Sequence, residues 1–507
     1  MKKLLTTSLI LCLASQSMAQ VDFATVAQAN APKEMTGTAT STFRMNPSLA
    51  DSQACREFVR YTQEEMNTSS LIVLKDGKTQ IELYANGATK KTKTKVWSIS
   101  KFLSGLMLGA QVREKGMALL DQSIESFGIN REGHDDDKVN DFSLVKLRNV
   151  WNMSSGFNWC EYGNCRAVDA ANIMYGKAND DALKYALSIP LTHEPGSYYR
   201  YSAGNYVILQ AALKSMTSSE SEYLNLPYTS VLGPMGIAKD DYAFEVDKKN
   251  IILGGSGLSL TGRAFAKLGQ LLLNRGTWGE KEILSPEFFH EMTTNSDAIK
   301  NSPFSVQNWE GPAGGSIWLN DDSTSGDGSD RDGIPAFMPN SPNDMIYAGG
   351  NFGQFLLVYP SSKLVVARLG GDSPHSIHWV PFSNRALKCF APDTMREDHT
   401  SSEEKKAPDT GKNLSLKKVK KEAVLQRSRV QELCSCLFVS GYKSVEQCDK
   451  MVPTKTKLFG FFNSHNLVGK PRVDYKNKSV TVKNRLSSKR FMSKLNSQDP
   501  QKGCQLQ

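Results

Sequence analysis

Two short hairpins at opposite ends of the main body constrain this chain more than any other feature. Near the start, Leu71–Lys75 and Thr79–Tyr84 flank Asp76-Gly77, a pair that supplies the positive φ a tight two-residue hairpin requires. Much later, Gln354–Tyr359 and Leu364–Leu369 flank the turn Pro360-Ser361-Ser362-Lys363. Helical spacing fills the interval. Phe102, Leu103, Leu106, Met107 and Val112 make one apolar face over Ser98–Lys115, and Phe265, Leu268, Leu271 and Leu272 make another over Thr261–Asn274. Asn205–Leu213 is helix-like, and Asn384–Phe390 is expected to close the body as a helix. Strands at both ends with helices between predict one mixed sheet whose edges lie far apart in sequence, an α/β mixed (α+β) architecture.

The ends differ from the body in charge. Of 61 Lys and Arg and 52 Asp and Glu in 507 residues, 24 basic and 12 acidic residues fall between Asp393 and Gln507, which leaves the first 392 residues slightly acidic. The basic character belongs to a tail, so nucleic acid is not the expected partner of the main body. Lys2-Lys3, the apolar run Leu4–Ala14 and the small residues of Ser17-Met18-Ala19 predict a signal peptide over residues 1–19. That run is too short to cross a bilayer, and no later stretch is long and apolar enough, so the mature chain is expected to be exported, periplasmic or secreted, without a transmembrane segment. Cys12 lies in the leader, and the other eight cysteines suit an oxidising compartment. Cys160 and Cys165 are spaced for a small loop closure, Cys55 and Cys389 stand where they can tie the ends of the body, and Cys434, Cys436, Cys448 and Cys504 remain for the tail; free thiols and zinc are the competing readings. The expected organisation is a linker over 20–50, a main body over 51–392, a charged linker over 393–430 and a basic cysteine-bearing module over 431–507. In that module Cys434–Val439 is expected as a strand and Pro471–Tyr475 with Ser479–Lys483 as a hairpin.

The chemistry begins at Trp97-Ser98-Ile99-Ser100-Lys101, at the start of the first apolar helix. Three residues is about one helical turn, so Ser98 and Lys101 present their side chains on one face. A serine hydroxyl becomes a useful nucleophile when a neighbouring base takes its proton, and a lysine serves as that base when burial or other cations keep it neutral. The Ser98 backbone N–H, in a first turn, is available to an oxyanion. Pro195-Gly196-Ser197-Tyr198-Tyr199-Arg200-Tyr201-Ser202 adds a tyrosine able to relay a proton, and Tyr347-Ala348-Gly349-Gly350-Asn351 leads into a strand with glycines that permit close backbone approach.

With these segments in this order, and with Leu147–Phe157 and Gly254–Thr261 between them, the stretch from about Ser52 to Phe390 resembles the serine β-lactamase and penicillin-recognising superfamily. The likeness is to class C β-lactamases, carboxylesterases and 6-aminohexanoate-dimer hydrolases. It implies a β-lactamase/transpeptidase-like fold, an antiparallel sheet flanked by helices with a mainly helical subdomain, to which a small disulfide-tied extension is added. It also implies that Ser98 is acylated, that Lys101 and Tyr201 are its general base and acid, and that the N–H groups of Ser98 and Gly350 form the oxyanion site. Two departures bear on substrate. Tyr201-Ser202-Ala203 stands where class C enzymes carry Tyr-x-Asn, so Asn205 is the candidate substrate-orienting amide; Tyr347-Ala348-Gly349 stands where they carry Lys-Thr-Gly, so Tyr347 and Gly349 replace the segment with the carboxylate-gripping cation. A charge-assisted contact of that kind contributes about 1.5–3 kcal/mol, so its loss favours esters and amides over β-lactams.

The reading is therefore a serine hydrolase acting on a small-molecule or peptide substrate, with no metal or organic cofactor. The alternatives are a D-Ala peptidase or weak β-lactamase, and a catalytically silent binding protein of the same fold. Asp321–Asp332 alternates oxygen side chains like a calcium loop, but its twelfth position is Asp332 rather than Glu, and a loop near the pocket mouth is expected instead. His193 is read as a loop residue, and the basic tail as a possible contact for an anionic cell-envelope polymer.

Overall fold

The Asp76-Gly77 turn adopts the backbone its sequence calls for, with φ of 52° and 71°, and strand Thr68–Lys75 doubles back into Lys78–Tyr84. The structure, a computed structural model, describes residues 42–130, 141–161, 168–300, 314–320, 338–372, 379–396, 431–440, 444–445, 447–448, 468–484, 490–495 and 504–506. The main sheet has seven strands in the spatial order Thr42–Met45, Lys78–Tyr84, Thr68–Lys75, Leu364–Gly370, Gln354–Tyr359, Ile346–Gly350 and Trp318–Leu319. All neighbours are antiparallel. The two expected hairpins thus meet in the middle, with Ile72 opposite Ala367 and Val73 opposite Val366.

Alternation along these strands divides the core into two layers, because successive side chains leave opposite faces of a sheet. Leu71, Val73, Leu357, Tyr359, Leu364 and Val366 face the terminal helices and pack with Phe58 and Phe382. Ile72, Leu74, Leu356, Val358, Val365 and Ala367 face the interior helices and pack with Phe265 and Leu268. Both faces are covered, which is why the strands read as nearly continuous apolar runs. The terminal helices Gln53–Glu64 and Trp379–Phe390 pack together and carry the disulfide Cys55–Cys389. The closing helix starts five residues earlier than its sequence spacing indicates.

One boundary moves. The polar stretch expected as a linker up to Ala50 already contributes the edge strand Thr42–Met45, paired with Lys78–Tyr84, and the short helix Pro47–Ala50. Four residues ending in one buried Met45 are too short to stand out from a polar background.

Helix Ser100–Lys115 is buried on all sides from Ser100 to Val112, packed against helices Ala203–Ser215 and Pro286–Met292. A helix enclosed on every face places its polar residues inside the protein, Lys101 among them. Short helices over Leu147–Trp151, Asp169–Tyr175, Ala182–Leu187 and Glu220–Pro227 complete the helical part.

The C-terminal module holds a four-stranded antiparallel sheet, Val468–Asp474, Ser479–Asn484, Arg490–Leu495 and Cys504–Leu506. Cys434–Val439 is not the expected strand: Ser435–Val439 is a wide helical turn closed by Ser440 N–H donating to Ser435 O at 2.9 Å. A six-residue apolar run does not distinguish strand from buried helix by periodicity, and here Cys434–Cys504 and Cys436–Cys448 pin the turn beneath the small sheet. The leader, residues 20–41, Cys165, Asp321–Asp332 and residues 397–430 lie outside the described residues. Among the described residues no cluster of His, Cys, Asp and Glu could hold a metal, and no helix is long and apolar enough to cross a membrane.

Candidate active site

Ser98 sits in the 3-10 turn Trp97–Ile99, one step ahead of the α-helix that starts at Ser100. The turn is strained. Trp97 has φ 53°, a left-handed backbone that a bulky residue adopts only when its surroundings impose it. They do so here: the Trp97 ring meets Phe352 edge-on at 5.0 Å, Ser100 Oγ donates to Trp97 O at 2.6 Å and accepts from Leu258 N–H at 2.9 Å, and Val96 N–H donates to Leu258 O at 2.8 Å. The result leaves Ser98 partly exposed between buried neighbours.

Lys101 lies beneath it, 2% exposed. Its Nζ is 3.4 Å from Ser98 Oγ and donates to Gly255 O at 2.9 Å. The Gly254–Gly257 loop comes this close because it has no side chain to keep it away: a Cβ on Gly255 would stand 2.8 Å from that of Ala203. The lysine also lies over the Tyr201 ring, 4.4 Å from its centroid. Ser98, Lys101 and Tyr201, from two distant segments, are therefore brought together.

Tyr201 precedes the helix Ala203–Ser215, whose N-cap Ser202 accepts from Asn205 N–H. Its ring stacks on partly exposed Trp318 at 5.5 Å, and Trp318 stacks in turn on Tyr347 at 6.4 Å. The stack links the tyrosine to strand Ile346–Gly350. Burial pushes the Tyr347 phenol well above its usual range, so it stays neutral. Gly349 lies under Trp379, where a Cβ would meet the indole at 2.3 Å, while a Cβ on Gly350 would stand 2.2 Å from Val96 O. Only glycine lets the end of this strand lie against the turn that carries Ser98.

Asn205 is placed differently from its expected role. Its Oδ1 accepts from Ser155 Oγ at 2.9 Å and its Nδ2 donates to Val150 O at 3.0 Å, so the amide braces the helix start against the Leu147–Gly156 segment. At 1% exposure it is committed inside the protein. His193 is a loop residue stacked on Tyr198 at 4.2 Å.

Sequence reasoning passed over two residues. Trp318 lies in the short described segment 314–320, with no motif around it. Glu161 lies just after Cys160 with no motif of its own, yet its Oε1 is 3.5 Å from Lys101 Nζ and it is 6% exposed. The signal available was an acidic residue in the otherwise aromatic Phe157-Asn158-Trp159-Cys160 stretch.

The family model described as Beta-lactamase matches residues 55–371, and the chain belongs to that family. The solved structures it is similar to are all distant in sequence. EstCE1, a hydrolase with promiscuous acyltransferase activity, is 15% identical with a TM-score of 0.50, covering 68% of this chain and 98% of its own. A family VIII carboxylesterase is 15% identical with a TM-score of 0.47, covering 69% and 100%. A penicillin-binding protein homolog from Caulobacter crescentus is 14% identical with a TM-score of 0.48, covering 69% and 98%. No curated protein matches the chain. Family and fold together define a serine hydrolase.

Proposed function

We propose that this protein cleaves an ester or amide bond through an acyl-enzyme on Ser98. The observation that supports this most directly is the Lys101 amine at 3.4 Å from the Ser98 hydroxyl, in a site closed to bulk water on the lysine's side. In its neutral form Lys101 takes the Ser98 proton as the serine oxygen bonds to the substrate carbonyl, and the carbonyl π pair becomes an oxyanion received by backbone N–H groups of Ser98 and Gly350. Collapse of that intermediate expels the alcohol or amine, which takes a proton through Lys101 and Tyr201. Water, activated by the same pair, then releases the acid and restores Ser98. Removing the hydroxyl removes the attacking atom, so Ser98→Ala is expected to abolish turnover of p-nitrophenyl butyrate; an unchanged rate rejects the assignment.

Tyr347 favours an ester or small amide over a β-lactam, since a buried neutral phenol in an aromatic stack offers no cation to a substrate carboxylate. Disulfides in both parts of the chain agree with an exported protein, and the apolar leader is the reason to place it in the periplasm or medium. The surplus of basic residues after Asp393 is the reason to test anionic cell-envelope polymers as a contact of the tail.

A further inference from the structure

The geometry points to Glu161 as the positioning residue and counter-charge of Lys101, completing a serine–lysine–carboxylate relay. This inference rests on the acyl-enzyme reading above and extends it by one group.

The carboxylate is built in rather than incidental. Its Oε2 accepts from the Trp159 indole N–H at 2.6 Å and from the Ala203 backbone N–H at 2.8 Å. Ala203 opens a thirteen-residue helix, whose first N–H groups lack helical partners and favour a negative charge. Trp159 is held in turn against the same helix, where a Cβ on Gly204 would stand 2.5 Å from its ring. With Oε2 anchored twice, Oε1 is left aimed at Lys101 Nζ at 3.5 Å. The lysine is thus fixed from three sides, by Gly255 O, by the Tyr201 ring and by Glu161.

The chemistry follows from charge. When Ser98 loses its proton, the O–H bond breaks, an N–H bond forms and Lys101 becomes an ammonium in a buried site, where an unpaired charge is costly. Glu161 is already in place to stabilise that ammonium, and the proton passes from Ser98 to Lys101 to the leaving group. The same carboxylate favours the ammonium in the resting enzyme. Activity is therefore expected to fall as pH drops through the lysine's titration, and removing the carboxylate moves that acidic limb to lower pH.

Among the described residues, further groups face the pair. Lys101 also faces Tyr206, 6.0 Å from the ring centroid, whose hydroxyl donates to Trp151 O at 2.8 Å and whose burial raises it far above the working range. On the Glu161 side stands Asp169, raised by burial and held by Tyr185 and the Cys160 N–H, and Arg200 donates to Trp159 O at 3.3 Å. None of these replaces a charge at Lys101 when Glu161 is neutralised.

The test measures kcat/KM against pH for the full chain with p-nitrophenyl butyrate, each profile normalised to its own plateau. Glu161→Gln is expected to move the acidic limb down by about one unit or more, as loss of a close opposite charge does, and to lower the plateau roughly ten- to a hundredfold, less than the loss of the general base itself. Glu161→Asp, whose carboxylate stands about 1.5 Å further back, is expected to move the limb the same way by less, and it decides the matter if the Gln variant does not fold. A merely structural role changes only the amount of active enzyme, so limbs that superimpose on the wild type overturn the proposal. Ser98→Ala runs in parallel. If it is inactive and the limbs superimpose, Glu161 alone loses its role; if it is active, the acyl-enzyme reading fails.

Discussion

Two lysines six residues apart are both buried and both paired, and they are built for opposite ends. Lys95 Nζ meets Glu245 at 3.0 Å and Glu432 at 2.7 Å and lies over the Trp97 ring at 4.6 Å. Glu432 comes from the C-terminal module and also accepts from Tyr175 at 2.6 Å; Glu245 accepts from Ser435 of the same module at 3.1 Å. Burial opposes the Lys95 ammonium, but the two carboxylates outweigh it and hold the lysine above its usual range. Lys101 instead has the Glu161 carboxylate at a longer 3.5 Å and a serine hydroxyl at 3.4 Å. An ammonium saturated with carboxylates is locked in its charged form and fastens two parts of the chain. An amine within reach of a nucleophilic hydroxyl stands where it can exchange a proton with it.

Substitution breaks this comparison most directly. Lys101→Met is expected to lower kcat by roughly 10²–10⁴-fold, the usual contribution of a positioned base, with the protein still folded by circular dichroism; a kcat within a fewfold of wild type would erase the distinction. Lys95→Met leaves two buried carboxylates without their cation and is expected to cost about 3–5 kcal/mol in urea unfolding, while ester turnover per folded molecule stays within a fewfold. Loss of turnover without loss of stability would instead make Lys95 part of the chemistry. The smallest effect concerns pH. Burial, ahead of the neighbouring Glu432, raises the Glu245 carboxyl above the usual 4.5 of a free glutamate, although Lys95 pulls it down. A raised acid binds its proton better in the folded state, so its contribution to stability is present below 4.5 and is lost as pH rises through the folded value. Urea midpoints measured from pH 4 upward are expected to show that decline, and Glu245→Gln to flatten it.

Much of the frame was legible because its signals are local. Asp76-Gly77 marked one hairpin, the Pro360–Lys363 turn the other, and the helical spacing from Phe102 to Val112 the central helix. Ser98 and Lys101 were legible for the same reason, one turn apart on one segment. The strand at Thr42–Met45 and the helical turn at Ser435–Val439 were not, since runs of four to six residues take their conformation from what they pack against. Asn205 had the right residue type in a plausible position; its buried amide bonds to Ser155 and Val150, partners some fifty residues earlier that no spacing rule reveals.

The sequence by itself determined the elements, the cysteine supply, the exported character it predicts, and the serine–lysine spacing, because each depends on residues within a turn or a strand of one another. Tertiary structure decided which lysine lies beside a hydroxyl and which is clasped between two carboxylates. Trp97 is forced into a left-handed backbone by contacts from distant segments, Glu161 is brought to Lys101 across 60 residues of sequence and Glu432 to Lys95 across 337. Electrostatic character depends on distances through space and on removal from water, and both arise only once the chain has folded around the two amines.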